Sequence, residues 1–260
     1  KRVDYFLVDA TSQKIIKYSV PVDIIEDAPG KYGAEPISNL LALGMLEDGD
    51  FGSGISLLNN SLFRMFGFPV DRYLVVEEDM MVVVDDIFQN NIDITGLNIR
   101  EAFLSSKTNL AINELWSFYK FFISLPQDRF ITKTITQSYL ENLSLLDEEL
   151  LDITFDSTVS RQKLSFAVLN GTNYAGVANF GSRVIKNLGG RVVATGNAKK
   201  IYEKSMIVAQ DPNSESVRRV SHAFDIEDVI DYEAGRALNE NEILRSDITI
   251  IIGLDFAEIM

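Results

Sequence analysis

Two periods of apolar residues run through this chain, one of strands and one of helices. Strand-forming residues fill Asp4–Asp9 and again Lys14–Pro21, and the turn-forming Ala10-Thr11-Ser12-Gln13 lies between them, so a hairpin is predicted. Helical spacing follows from Ile37 to Met45, after Pro36, and from Gly54 to Phe66, where Ile55, Leu58, Leu62 and Met65 share one face. Gly67 and Phe68-Pro69 end that helix, because glycine suits a helix C-cap and proline cannot continue the hydrogen-bond ladder. Tyr73-Leu74-Val75-Val76 is a short run of strand formers and predicts a buried strand, whereas Met80 to Asp86 fits a helix or a strand. Ile99 to Phe103 and Leu110 to Phe122 predict helices and Phe130 to Ile135 a strand. From Leu143 to Leu151 leucines occupy one side of a helix and Asp147-Glu148-Glu149 the other, the pattern of a solvated face rather than a metal site.

Beyond a polar stretch at 156–162 the pattern becomes a regular alternation of strand and helix. Leu164–Leu169 reads as a strand, Gly176–Leu188 as a helix ended by Gly189-Gly190, and Arg191–Thr195 as the next strand, which together make a βαβ unit. Ser205–Gln210, a helix from Ser214 to Phe224, Asp228–Tyr232 and Asp247–Gly253 complete the series. The predicted fold class is α/β in two domains: a mixed sheet flanked by helices over residues 1–157, and a smaller βαβ-containing domain over residues 163–260. The chain has 260 residues, 46% of them apolar, which is ample for two cores.

Charge divides at the same place. Residues 1–160 carry 12 basic and 25 acidic side chains, and residues 161–260 carry 12 and 13, so nearly all of the net charge of -14 belongs to the first half. An acidic surface without a basic run repels a phosphate backbone, which argues against nucleic-acid binding. The absence of cysteine excludes disulfides, thiol catalysis and cysteine-ligated zinc. No apolar stretch reaches the roughly 18 to 20 residues needed to cross a bilayer. The chain opens within a strand-like run and without an initiator Met, so a preceding signal or membrane anchor is expected in the full-length protein.

Val168-Leu169-Asn170-Gly171-Thr172, Ala175-Gly176-Val177-Ala178, Leu188-Gly189-Gly190, Val193-Ala194-Thr195-Gly196-Asn197-Ala198 and Asp247 to Asp255, in that order, resemble the LytR C-terminal domain, a small α/β module attached to envelope proteins. The first half is similar to the LytR-CpsA-Psr domain through Arg2-Val3-Asp4, Ser19-Val20-Pro21-Val22-Asp23, Phe66 to Val76, and the helix after Lys107-Thr108-Asn109-Leu110. That resemblance implies a phosphotransferase moving anionic glycopolymers from a polyprenyl-pyrophosphate carrier to peptidoglycan. It also implies arginines around the pyrophosphate and a divalent ion such as Mg2+ held by carboxylates, because the leaving group and transition state are anionic.

Several of those cations are missing. Val22 stands where the family places an arginine before the aspartate matching Asp23, no arginine-rich loop appears between Ile94 and Lys107, and the usual Gly-Gly after Asp85 is absent. The candidate metal ligands are Asp4 and Asp23, against the reading that both are solvated strand-end residues. Arg2 is either a surviving phosphate contact or a solvated arginine, and Arg64, Arg72, Arg100 and Arg129 show no spacing that pairs them into a clamp. His222 lacks a nucleophilic partner and reads as a packed or surface residue. The aromatic cluster Trp116 to Phe122 is expected in the core, with a groove for a polyprenyl tail as the alternative. Glu77-Glu78-Asp79 alternates across a strand and does not converge on an ion. Asn170-Gly171 and Gly176 form a tight turn, or an anion site at a helix start. The expectation is a cell-envelope protein, extracytoplasmic and membrane-anchored, that binds or assembles without catalysis and meets a polyprenyl-phosphate lipid or a glycopolymer. The alternative is a divergent Mg-dependent phosphotransferase.

Overall fold

The computed structural model describes residues 2–9, 12–77, 81–82, 85–86, 88–89, 106–154 and 157–258. In chain order its elements are β1 (Val3–Asp9), β2 (Lys14–Val20), β3 (Ile25–Ala28), β4 (Gly33–Pro36), α1 (Ile37–Asp48), α2 (Phe51–Phe66), β5 (Leu74–Val75), β6 (Lys107–Thr108), α3 (Ile112–Ser124) and β7 (Phe130–Thr134). There follow α4 (Gln137–Glu141), α5 (Leu143–Thr154), α6 (Ser157–Gln162), β8 (Ser165–Asn170), α7 (Val177–Asn187), β9 (Arg191–Asn197), β10 (Met206–Ala209), α8 (Glu215–Phe224), β11 (Val229–Asp231), α9 (Tyr232–Gly235), β12 (Ile248–Ile252) and α10 (Leu254–Ala257), with short 3-10 turns between some of them. The α/β class predicted from the pattern is the observed one. The predicted helix over Ile99–Phe103 lies outside the described residues.

The chain forms two compact units, and both are discontinuous in sequence. The first gathers residues 1–24, 36–38 and 70–137; the second gathers 25–35, 39–69 and 138–260. They cut across the boundary expected at 157–163, because α2 and α5 pack with the later strands and helices.

The first unit is built on a three-stranded sheet in the order β1-β2-β7. β1 and β2 are antiparallel, with Asp4 opposite Ser19 and Phe6 opposite Lys17, and β7 runs parallel to β2. The predicted hairpin is therefore present, and Gln13 in its turn adopts a positive φ of 52°. Ile15, Phe88, Leu125 and Phe130 form a small buried cluster beneath Phe118, Phe121 and Phe122 of α3. Leu74-Val75 departs from expectation: this strand is two residues long, pairs among the described residues only with β6, and leaves Leu74 41% exposed. A run of strand formers specifies an extended backbone, and burial then depends on which face finds a partner.

The second unit holds the five-stranded sheet β11-β10-β12-β8-β9. β12, β8 and β9 are mutually parallel, as a βαβ unit requires, while β10 runs antiparallel to β12. The central strands Ser-Phe-Ala-Val-Leu-Asn and Ile-Thr-Ile-Ile-Ile are buried along their whole length, which explains their near-continuous apolar sequence. Alternate residues serve two cores. Phe166, Val168, Ile248, Ile250 and Ile252 face the larger one with α7 and α8, and Leu169 and Ile251 face a smaller one with Tyr202. α2 contributes Phe63 to the larger core, where its ring lies edge-on to Phe180 at 5.1 Å and to Phe256 at 6.0 Å.

Candidate functional site

The hairpin register decides what meets at the candidate site of the first unit. Residues two apart on a strand share a face, so Asp4 and Phe6 of β1 lie beside their cross-strand partners Ser19 and Lys17 of β2. Into this face comes Asp85. One Arg2 nitrogen donates to Asp85 at 2.5 Å, and the other donates to Asp4 at 2.6 Å and to the second Asp85 oxygen at 3.0 Å. The Lys17 ammonium donates to that same Asp85 oxygen and sits 5.0 Å from the centre of the Phe88 ring. Lys17 is 3% exposed and the Asp4 side chain 1%. The Arg2 guanidinium, then burial working the other way, then Lys17 set the Asp85 carboxyl, which is held below the usual carboxylate range. The hydrogen bond to Asp85 likewise raises Arg2 above its ordinary value.

Each predicted site residue can now be placed. Arg2 is neither a bare phosphate contact nor simply solvated: both of its terminal nitrogens are held by carboxylates of the chain. The Asp4 side chain is buried rather than solvated, and Asp23 is exposed in the turn after β2. Among the described residues no group of three or more His, Cys, Asp or Glu side chains is placed to hold a metal ion. The residues present do not fit the divalent ion that the family resemblance implies, because Arg2 and Lys17 already occupy Asp85 and one oxygen of Asp4. The other Asp4 oxygen, Oδ1, is buried and accepts no hydrogen bond among the described residues.

Beside this cluster the two later motifs of the first half come together. Tyr73 donates its N–H to the Asn109 side chain at 2.9 Å, Asn109 donates back to the Asp71 carbonyl at 3.2 Å, and the Thr108 hydroxyl donates to the Tyr73 carbonyl at 2.5 Å. Arg72 donates to Glu114 at 2.5 Å, and Glu114 also accepts the Ala111 N–H at the start of α3. Burial, then the nearby Asp71 charge, pushes the Tyr5 phenol well above its ordinary range. Arg64 pairs with Asp27 in the other unit and Arg129 lies 3.9 Å from Asp128, so these arginines form no clamp; Arg100 lies outside the described residues. Glu78 and Asp79 also lie outside them.

The aromatic cluster divides. Phe118, Phe121 and Phe122 pack inward as expected, but Trp116 is 57% exposed and Ile112, one turn earlier, is 86% exposed. Trp116 stacks at a tilt on Tyr119, and the Lys120 ammonium lies 5.3 Å from its ring centre. Residues four apart on a helix share a face, so α3 presents an apolar stripe outward as well as inward.

In the second unit Asn170 makes the tight turn predicted for it. Its Oδ1 accepts from the Thr172 N–H and hydroxyl, and its Nδ2 donates to the Tyr174 carbonyl at 2.7 Å. Gly176 then starts α7 at φ 86°. A shallow, open cleft lies at the ends of β8 and β9, lined by Asn170, Gly176, Asn179, Thr195 and Asn197. His222 is exposed on α8.

Asp147 belongs to no solvated face. Arg183 of α7 donates to both of its oxygens at 2.7 to 2.9 Å and, on its far side, to the carbonyls of Arg64 and Met65 at the end of α2. The last helical carbonyls lack intrahelical donors, and a guanidinium fork satisfies two of them at once. Spacing along α5 showed the charge but not this partner, which lies 36 residues away.

Fold and site thus define an α/β protein with a charge-closed cluster in one unit and a parallel βαβ module in the other. Residues 163–256, just over a third of the chain, match the LytR_C family, described as LytR cell envelope-related transcriptional attenuator. Among solved structures, the chain is similar to TagT of B. subtilis at 13% identity and a TM-score of 0.37, over 58% of this chain and 85% of that one. YwtF (TagT), a LytR-CPS2A-psr family protein with bound octaprenyl pyrophosphate lipid, is similar at 14% identity and a TM-score of 0.36, over 59% and 84%. The transcriptional regulator yvhJ from Bacillus subtilis gives 12%, 0.35, 52% and 72% in the same order. No curated protein sequence matches the chain. Among the described residues no helix is long and apolar enough to cross a membrane.

Proposed function

We propose that this is an extracytoplasmic protein of the bacterial cell envelope that binds or assembles envelope components without catalysing their transfer. One observation carries the noncatalytic part: the cations at the candidate site, Arg2 and Lys17, are spent on Asp4 and Asp85. Phosphoryl transfer depends on cations aimed at the charge that develops on the reacting group. Arg72, the next cation along, is paired with Glu114. The LytR_C match supports the envelope assignment. For contact with a polyprenyl-phosphate lipid the exposed Ile112 and Trp116 supply an apolar face, with Lys120 beside it for the headgroup.

Trp116 is the only tryptophan in the chain, so its emission reports that face alone. Titration with a polyprenyl pyrophosphate in the presence of Mg2+ is expected to shift Trp116 emission to the blue while releasing no phosphate. Phosphate release at a rate lost in Asp4→Asn would replace this reading with that of a divergent Mg-dependent phosphotransferase. Absence of any emission change would remove the lipid and leave a polymer or protein partner for the LytR_C domain.

A further inference from the structure

An ammonium taken into a sheet is costly to bury unless it is paired. Lys17, 3% exposed, is paired with Asp85, and the Phe88 ring adds a cation–π contact. The same Asp85 oxygen also accepts from Arg2, whose second bond reaches Asp4. Two carboxylates and two cations therefore close on one another with no net charge. Asp4 remains the odd member, because its Oδ1 is buried without a donor. A carboxylate oxygen in that condition suits a hard cation, and only the neighbouring charges decide whether one is drawn in.

We infer that Lys17 is a built-in counter-cation: its ammonium supplies the positive charge that a divalent ion would bring to the Asp4–Asp85 pair, and excludes that ion from the site. Removing the ammonium leaves two carboxylates facing one guanidinium, with Asp4 Oδ1 and one Asp85 position open. Lys17→Met keeps an unbranched stem out to Cε and deletes the ammonium with its charge, and so converts the cluster into a site for Mg2+ or Mn2+. The inference deepens the noncatalytic reading at the same residues, but it is tested by metal binding and not by turnover. Phosphate release without metal binding at Asp4 would overturn that reading and leave this inference standing.

The experiment follows Mn2+ by electron paramagnetic resonance, and thermal unfolding with and without Mg2+, in the intact chain and its variants. Wild type is expected to bind no Mn2+ that Asp4→Asn removes, and to unfold at the same temperature with or without Mg2+. Lys17→Met is expected to unfold at a lower temperature in chelator, to regain stability with Mg2+, and to bind about one Mn2+ per chain that is lost when Asp4→Asn is added. Lys17→Arg, which keeps the charge, is expected to behave as wild type. Wild-type Mn2+ binding that Asp4→Asn abolishes would overturn the inference, as would a folded Lys17→Met protein that gains no metal. If Lys17→Met does not fold, the comparison of wild type with Asp4→Asn decides alone.

Discussion

Glu26 sits on β3 among Asp27, Arg64 and Arg183, and its environment makes it a poor place for a negative charge. Burial pushes its carboxyl up from 4.5 to about 7; the Asp27 charge adds to the rise and Arg64 and Arg183 oppose it. Because the folded protein holds this proton more tightly than the unfolded chain, the group favours folding fully below about pH 4.5, and that contribution is lost as pH rises through 7. Stability from this residue thus falls between pH 5 and pH 8, opposite to the usual carboxylate. Glu26→Gln mimics the protonated form and is expected to be more stable than wild type at pH 8, by about 1 to 3 kcal/mol, and nearly equal to it at pH 5. Urea unfolding of both proteins at the two pH values measures this. An unchanged difference between them across that range would show that Glu26 is not the titrating group.

At the scale of elements, the end of α2 shows what a sequence discloses and what it withholds. The apolar spacing of Ile55, Leu58, Leu62 and Met65 predicts the helix, of which Leu58 is only half-buried, and Gly67 predicts its stop, with φ at 64° and its N–H donating to the Phe63 carbonyl at 2.7 Å. These are local facts written in consecutive residues. The burial of Leu57 and Phe63, off the predicted stripe, has no local signal, because α2 is enclosed on more than one side. The charged groups are less legible still. Asp147 finds Arg183, and Lys17 finds Asp85 across 68 positions of sequence, and nothing in the spacing of either pair announces it. Trp116 lies outside the expected core for a related reason: apolarity predicts an amphipathic helix, not the extent of its covered face. Gly67 tests how tightly the joint is built. A Cβ there would lie 2.6 Å from Asn187 Nδ2 and 3.4 Å from the Arg183 guanidinium carbon. Gly67→Ala adds that clash to the left-handed backbone, for a loss of about 1 to 3 kcal/mol. Thermal unfolding reads the loss. A variant as stable as wild type would mean that Asn187 swings away freely, and that its 3.1 Å bond to Asp147 contributes little.

For the whole molecule, the LytR_C match and the compact unit that contains it do not share a boundary. The match begins at residue 163, whereas the unit also takes in residues 25–35, 39–69 and 138–162. The added segments fill the module's own core and satisfy its polar groups. Phe63 packs edge-on against Phe180 and Phe256, Val159 is buried, and the Gln162 side chain accepts the Ser216 N–H. Emptying the place of one buried phenylalanine costs about 3 to 5 kcal/mol, a large part of the 5 to 15 kcal/mol that stabilises an ordinary domain. A fragment of residues 163–260 therefore lacks what seals its larger core on one side. Its amides in β8 and β12 are expected to exchange with deuterium about 100-fold faster than the same amides in the intact chain, corresponding to roughly 3 kcal/mol. Equal protection in fragment and intact chain would make the domain self-sufficient, with α2 as a later attachment to a finished surface. Faster exchange would mean that the family boundary passes through a core, and that the ion pair of Arg183 with Asp147 and α2 holds the unit together from the outside while Phe63 does so from within.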